Sequence, residues 1–158
     1  MKSGGGMERA SKALSDAGLN AVVRSLPRST RSACEAAAAP GCGVANIAKS
    51  LVFKGVDTGL AVMIVMSGVN RVDAAKVAEI LGESVEKADA GFVRDKTGYA
   101  IGGVAPLGHR ESMPILLDDD IFALDYLWAA AGSPNSVFQI APSALKTITG
   151  GRRVSVAE

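Results

Sequence analysis

Lys49 is the first residue whose type and place could do chemistry. It opens the run Lys49–Phe53 (KSLVF), where an expected helix hands over to an expected strand. A lysine entering a buried strand can simply snorkel to solvent. At the mouth of a pocket it would instead hold a phosphate or steady a developing oxyanion. A second place is Gly102-Gly103-Val104-Ala105-Pro106-Leu107-Gly108-His109. Three glycines and a proline in eight residues make a rigid, irregular loop. Missing Cβ atoms let backbone N–H groups approach a ligand, although a plain turn needs no more than this. The loop is no dinucleotide fingerprint, because no helix is expected after it. His109, the only histidine, closes the loop and is expected to be exposed. It could exchange hydrogen bonds with a ligand near neutral pH, but no Ser or Cys pattern makes it part of a triad. The fourth place is Asn70-Arg71-Val72-Asp73 with Lys76. Asp73 suits a helix cap, which leaves Arg71 free for a bidentate contact with phosphate or carboxylate.

Two further groups carry less. Asp118-Asp119-Asp120 has the spelling of a metal site but lacks spaced partners, and reads as a solvated turn. Cys34 and Cys42 have no matching His neighbours, so they form no zinc pattern. They read as reduced, mostly buried thiols of a cytosolic protein. No metal and no cofactor is expected.

The elements that must position these residues follow from spacing. Residues 1–6 read as a flexible leader before a domain over 7–158. Ala10, Ala13 and Leu14 suit a helix from Met7 to Ala17, stopped by Gly18. Ala21 to Val23 reads as a strand start ended by Pro27. Ser29 or Thr30 can cap a helix through Ala39, and a short helix is expected over Val44 to Ala48. Lys49–Phe53 and Leu60–Met66 are the clearest strands, joined by a connection with glycine at each end. The second is apolar throughout, as a strand buried on both faces should be. Asp73 to Leu81 and Asp89 to Thr97 read as capped helices ended by Gly82 and Gly98. Strands are expected at Tyr99–Ile101, Pro114–Leu117, Tyr126–Ala130 and Val137–Ile140. A helix should run from Pro142 to Ile148, with a last strand around Val154 and Val156. Several connections are too short for a helical crossover. The expected fold is therefore α/β, with a mixed, partly antiparallel sheet curled toward a barrel and flanked by helices.

Composition narrows the function. The chain has 158 residues, 17 Lys+Arg against 16 Asp+Glu, and 48% hydrophobic residues. A domain of that size buries a core without staples, and near-zero charge with high apolar content excludes disorder. A net charge of +1 argues against a purely electrostatic nucleic-acid binder, so any nucleic acid should be recognised by a specific end or shape. At 4% aromatic content no base-stacking platform is expected. No apolar run is long enough to span a membrane.

Taken in order, Lys49 to Phe53, Ser67-Gly68-Val69-Asn70-Arg71-Val72-Asp73, Thr97 to His109, Ala130-Ala131-Gly132-Ser133-Pro134 and Pro142 to Gly150 resemble the YbaK/ProX family. These are aminoacyl-tRNA deacylases related to the editing domain of bacterial prolyl-tRNA synthetases. The resemblance spans roughly residues 8 to 156, and several ordered motifs together make it specific. It implies a cytoplasmic trans-editing hydrolase that cleaves the ester of mischarged tRNA, mostly tRNA(Pro). The family's essential lysine falls on Lys49. Its substrate loop falls on Gly102 to His109, including Gly103, Val104 and Pro106, with Asn70, Arg71, Gly132 and Ser133 as further substrate-binding candidates. The cysteine-clearing branch has Gln where this chain has His109, so Ala-tRNA(Pro) is the first expected substrate and Cys-tRNA(Pro) the second. The implied partners are the tRNA acceptor end and prolyl-tRNA synthetase, for a monomer or weak homodimer. Two other functions compete. One is a non-catalytic module that holds a tRNA end or a synthetase, and the other is a small-molecule ester or amide hydrolase.

Overall fold

The computed structural model describes residues 4–19, 23–25 and 44–158. The expected strand start at Ala21 and Val22, the helix through Ala39 and both cysteines lie outside these residues. Helix α1 (Gly4–Asp16) starts three residues before Met7, and buries Ala10 and Leu14 as their spacing predicts. Strand β1 (Arg24–Ser25) follows. The short helix expected from Val44 is a single 3-10 turn, Val44–Asn46. β2 (Ala48–Gly55) and β3 (Ala61–Ser67) then form an antiparallel hairpin that pairs Lys49 with Met66 and Phe53 with Val62.

Helix α2 (Ala74–Leu81) is capped by Asp73, whose carboxylate accepts from the amides of Ala75 and Lys76; Gly82 ends it at φ 81°. Strand β4 (Val85–Lys87) was not expected. Its three residues are too few to show alternation, and it pairs only with the far end of β2. Helix α3 (Ala90–Thr97) is capped by Asp89 and ended by Gly98. The chain continues through β5 (Ile115–Asp118), a 3-10 segment (Asp119–Ala123), β6 (Leu127–Ala130), β7 (Ser136–Ile140), α4 (Pro142–Thr149) and β8 (Arg152–Val154).

The strands make two sheets, a five-stranded one in the order β4-β2-β3-β5-β8 and a three-stranded one in the order β1-β7-β6. The larger is mixed, since β3 pairs β5, and β5 pairs β8, in parallel. The mixed α/β expectation holds, but the curl toward a barrel does not. Among the described residues the sheets join only through one parallel bridge, Ile47 to Trp128, so each keeps its own edges. All seven residues of β3 are buried. Alternation explains why: Met63 and Val65 face a core shared with Leu127, Ala129 and Phe138, and Val62, Ile64 and Met66 face Val77 of α2. Each such side chain adds about 1.5–3 kcal/mol of transfer free energy. This doubly buried strand is the rigid rail against which β2 and its lysine are held.

Tyr99–Ile101 is a turn, not the expected strand. Several of its polar groups find partners outside any strand ladder. Thr97 Oγ1 accepts from Tyr99 N at 3.0 Å and donates to Val93 O at 2.7 Å. Tyr99 Oη, fully buried, donates to Leu107 O at 2.8 Å. Burial pushes that phenol up to about 12.

Candidate functional site

Consecutive side chains of a strand point to opposite faces. A cavity bordered by every residue from Ile47 to Phe53 must therefore wrap the strand's edge, and this one does. The edge is open because β4 pairs only with Phe53, Lys54 and Gly55. The cavity holds about 950 Å³ and is also bordered by Arg71, Val104, Trp128 and Val137. Lys49 is half-buried in its wall, and its Nζ donates to Asn70 O. Burial, and then the Arg71 guanidinium, hold the Lys49 ammonium below the usual lysine range. Asn70 itself is outside the lining, and its side chain donates to Asp120 Oδ2 at 2.8 Å.

The glycine loop supplies another part of the lining. Gly103 N donates to Ala100 O at 3.0 Å and Gly102 has φ 91°. That is a type II turn, whose third position needs a positive φ and so favours glycine. Gly102 and Val104 border the cavity, and their amides have no hydrogen-bond partner among the described residues. Gly103 does not border it. A Cβ there would lie 2.6 Å from Ser133 C, so this glycine lets two loops touch.

The remaining sequence candidates fall elsewhere. Gly132 and Ser133 are buried behind the loop and do not border the cavity. Gly132, at φ 99°, abuts Gly6 of α1. Ser133 Oγ lies 2.7 Å from Ser136 Oγ and donates to Asn135 Oδ1 at 2.9 Å. Pro106 and His109 border a separate hollow of about 230 Å³ with Met113 and Ile148. The expectation of an exposed His109 is corrected, because the ring is half-buried and its Nε2–H donates to Ala105 O at 2.8 Å. Burial lowers its pKa, the Ala105 hydrogen bond opposes that, and Arg9 adds to the lowering. Arg9 also donates to Gly108 O at 3.3 Å, so α1 clips the loop's far end.

Asp118 corrects the reading of a solvated acidic turn. It is 1% exposed, accepting from Asp120 N at 3.2 Å and from Val156 N at 3.0 Å. Only Asp119 and Asp120 are exposed. Among the described residues no group of three His, Cys, Asp or Glu side chains could hold a metal ion. No helix among them is long and apolar enough to cross a membrane.

Sequence reasoning missed Ser50 and Trp128. Both border the cavity, and Ser50 Oγ and Trp128 Nε1 are buried with no hydrogen-bond partner among the described residues. The Arg24 guanidinium lies 5.4 Å from the Trp128 ring centre, and Tyr126 meets that ring edge-on. Trp128 and Phe53 are the aromatic residues in the lining, and both are buried, at 6% and 7% exposed. The signal available was that Trp128 is the chain's single tryptophan.

The model of the family described as "Aminoacyl-tRNA editing domain" matches residues 28–148. A Bacillus subtilis protein, "Uncharacterized protein YwhH", is 31% identical over 111 residues, covering 70% of each chain. An Enterococcus faecalis protein named "Putative Cys-tRNA(Pro)/Cys-tRNA(Cys) deacylase EbsC" is 30% identical over 108 residues, which is 68% of this chain and 65% of that one. Among solved structures, "a putative trans-editing enzyme for prolyl tRNA synthetase" superposes with a TM-score of 0.92 at 40% identity, covering 97% of both chains.

Proposed function

This chain belongs to the aminoacyl-tRNA editing domain family, and from that premise we propose that it is an aminoacyl-tRNA deacylase acting as one domain. The observation that carries the reading is a half-buried ammonium, Lys49, in the wall of a cavity also bordered by Gly102 and Val104, whose amides have no partner among the described residues. An aminoacyl ester is already activated, so its hydrolysis needs positioning and charge stabilisation more than a strong nucleophile. Water adds to the ester carbonyl carbon, and the carbonyl oxygen takes the charge. The bond to the ribose oxygen then breaks, and that oxygen takes up the proton the water gives up. The amides of Gly102 and Val104 suit the oxyanion. Gly103 N does not, being committed to Ala100 O. Lys49, in the same lining, steadies the oxyanion or the terminal nucleotide.

Within this class we take Ala-tRNA(Pro) as the first substrate and Cys-tRNA(Pro) as the second. The support for alanine is His109 in place of the cysteine branch's Gln. The cysteine option is supported by the printed name of the Enterococcus relative. His109 borders the other hollow, so its influence on amino-acid choice passes through the loop it braces. Small apolar walls (Val104, Ala130, Val137) suit selection by exclusion of larger side chains. The partner is the tRNA acceptor end, with prolyl-tRNA synthetase as the source of mischarged tRNA. Such a substrate places the protein in the cytoplasm.

The test incubates Ala-, Cys- and Ser-charged tRNA(Pro) with wild type and Lys49→Ala. Rapid loss of the alanyl ester with wild type, and about 100-fold slower loss with the variant, is the expected result. Equal rates would remove Lys49 from the mechanism. Tight binding with no hydrolysis of any ester would make the protein a binding module instead.

A further inference from the structure

Arg71 lies in the short segment between β3 and α2, and that segment is pinned from several directions. Lys49 Nζ donates to Asn70 O. Glu158 N donates to Arg71 O at 2.9 Å and Asp73 N donates to Val156 O at 2.7 Å. Val72 and Ala157 form a β-bridge. The segment's backbone is fixed, and the exposed Arg71 side chain borders the cavity together with Lys49. Among the described residues the ion pairs are Lys12–Asp16, Lys96–Glu111 and Arg153–Asp119, and none reaches either cation. Glu86 and Glu158 also border the cavity, yet neither lies within pairing distance of them. Two like charges in one wall repel each other, and a bound anion relieves both.

The substrate's chemistry names the anion. In an aminoacyl ester the amino acid's carboxylate is consumed, its amine is cationic, and the ribose and base are neutral. The remaining anion is the phosphate. We infer that Arg71 holds the phosphodiester of the 3′-terminal nucleotide while Lys49 serves the ester one ribose away. A guanidinium suits this because its fork matches two phosphate oxygens. The inference rests on the deacylase reading for its ligand, but its test does not need turnover.

Trp128, the single tryptophan, reports from the cavity wall. Its fluorescence is titrated with adenosine and with adenosine 5′-monophosphate. Wild type should bind the phosphorylated probe at least about tenfold more tightly. Arg71→Ala should erase that preference, and Arg71→Lys should restore part of it. Because Arg71 is exposed, the variants should keep the wild-type Tm, which is checked alongside. In the kinetic arm, alanyl esters of the two probes are hydrolysed. Arg71→Ala should raise KM about tenfold more for the phosphorylated ester than for the other, with kcat little changed. No phosphate preference in wild type, or a preference kept in Arg71→Ala, overturns the inference. If wild type hydrolyses neither the esters nor mischarged tRNA, the deacylase reading fails and the fluorescence titration alone decides the phosphate subsite.

Discussion

Lys49 works against two penalties, burial and the neighbouring Arg71 charge, and both lower its pKa. In the pH range between that lowered value and the ordinary lysine value, the unfolded chain binds more protons at this site than the native one. Native stability therefore rises with pH through that window, and Lys49→Met should flatten the rise in a Tm-against-pH series. If the ammonium steadies the oxyanion, activity has the opposite slope, falling as pH climbs through the lowered value. Lys49→Arg, which stays charged, should carry its residual activity to higher pH; a profile that falls in parallel with wild type would refute the role. Ser50 makes a separate case. A buried hydroxyl without a partner is already costly, so Ser50→Ala should leave stability unchanged or raise it by about 1 kcal/mol. A loss of more than that in urea denaturation would mean the hydroxyl has a partner in solution.

At the scale of elements, glycine placement separates structural need from habit. Gly103→Ala puts a methyl 2.6 Å from Ser133 C, so the loop must retreat, at a cost of about 1–3 kcal/mol and with slower deacylation. Gly91→Ala lies within α3, where the nearest neighbour is Asp89 Oδ1 at 3.6 Å. It should instead gain about 0.5–1 kcal/mol from the alanine's helix preference. His109 braces the same loop in its neutral form. Its lowered pKa means the unfolded chain takes up protons first as pH falls past 6.5, so native stability declines from there down to the lowered native value, even though the Ala105 hydrogen bond survives protonation. His109→Gln should weaken that acid sensitivity in thermal melts and shift the ranking of Ala, Ser and Cys esters. These elements were unequally legible in the sequence. Asp73, Asp89 and Pro142 announce helix starts, and Gly82, Gly98 and Gly150 announce their ends, because caps are local chemistry. The β2–β3 hairpin shows in its apolar run and bracketing glycines. Tyr99–Ile101 misled because an apolar triplet reads as strand, whereas Tyr99 N bonds the Thr97 hydroxyl and Tyr99 Oη bonds Leu107 O. Lys49, Arg71, Gly102 and Val104 border one cavity. Trp128 and the separation of His109 depend on how two sheets meet, which no local pattern encodes.

For the whole molecule, the balance of 17 basic and 16 acidic residues bears on how tRNA is held. A protein that gripped a long stretch of phosphate backbone would carry a basic face, and its binding would weaken steeply with salt. Here Lys49, Arg71 and Lys87 of β4 border one cavity, and among the described residues none of them forms an ion pair. The cavity borders the β2 edge and both residues of the Ile47–Trp128 bridge between the two sheets. A single-stranded 3′ end can enter such a cleft, whereas a duplex stem can touch only its rim. Binding of uncharged tRNA, followed by Trp128 fluorescence across a potassium chloride series, should therefore show a shallow log–log slope. Each single-strand phosphate contributes about −0.7, so one to three contacts give roughly −0.7 to −2. Arg71→Ala should make the slope shallower by about 0.7, because one counterion fewer is released. A wild-type slope steeper than about −5 would place most of the contact on the tRNA stem, outside the cavity. An unchanged slope in the variant would free Arg71 from any phosphate.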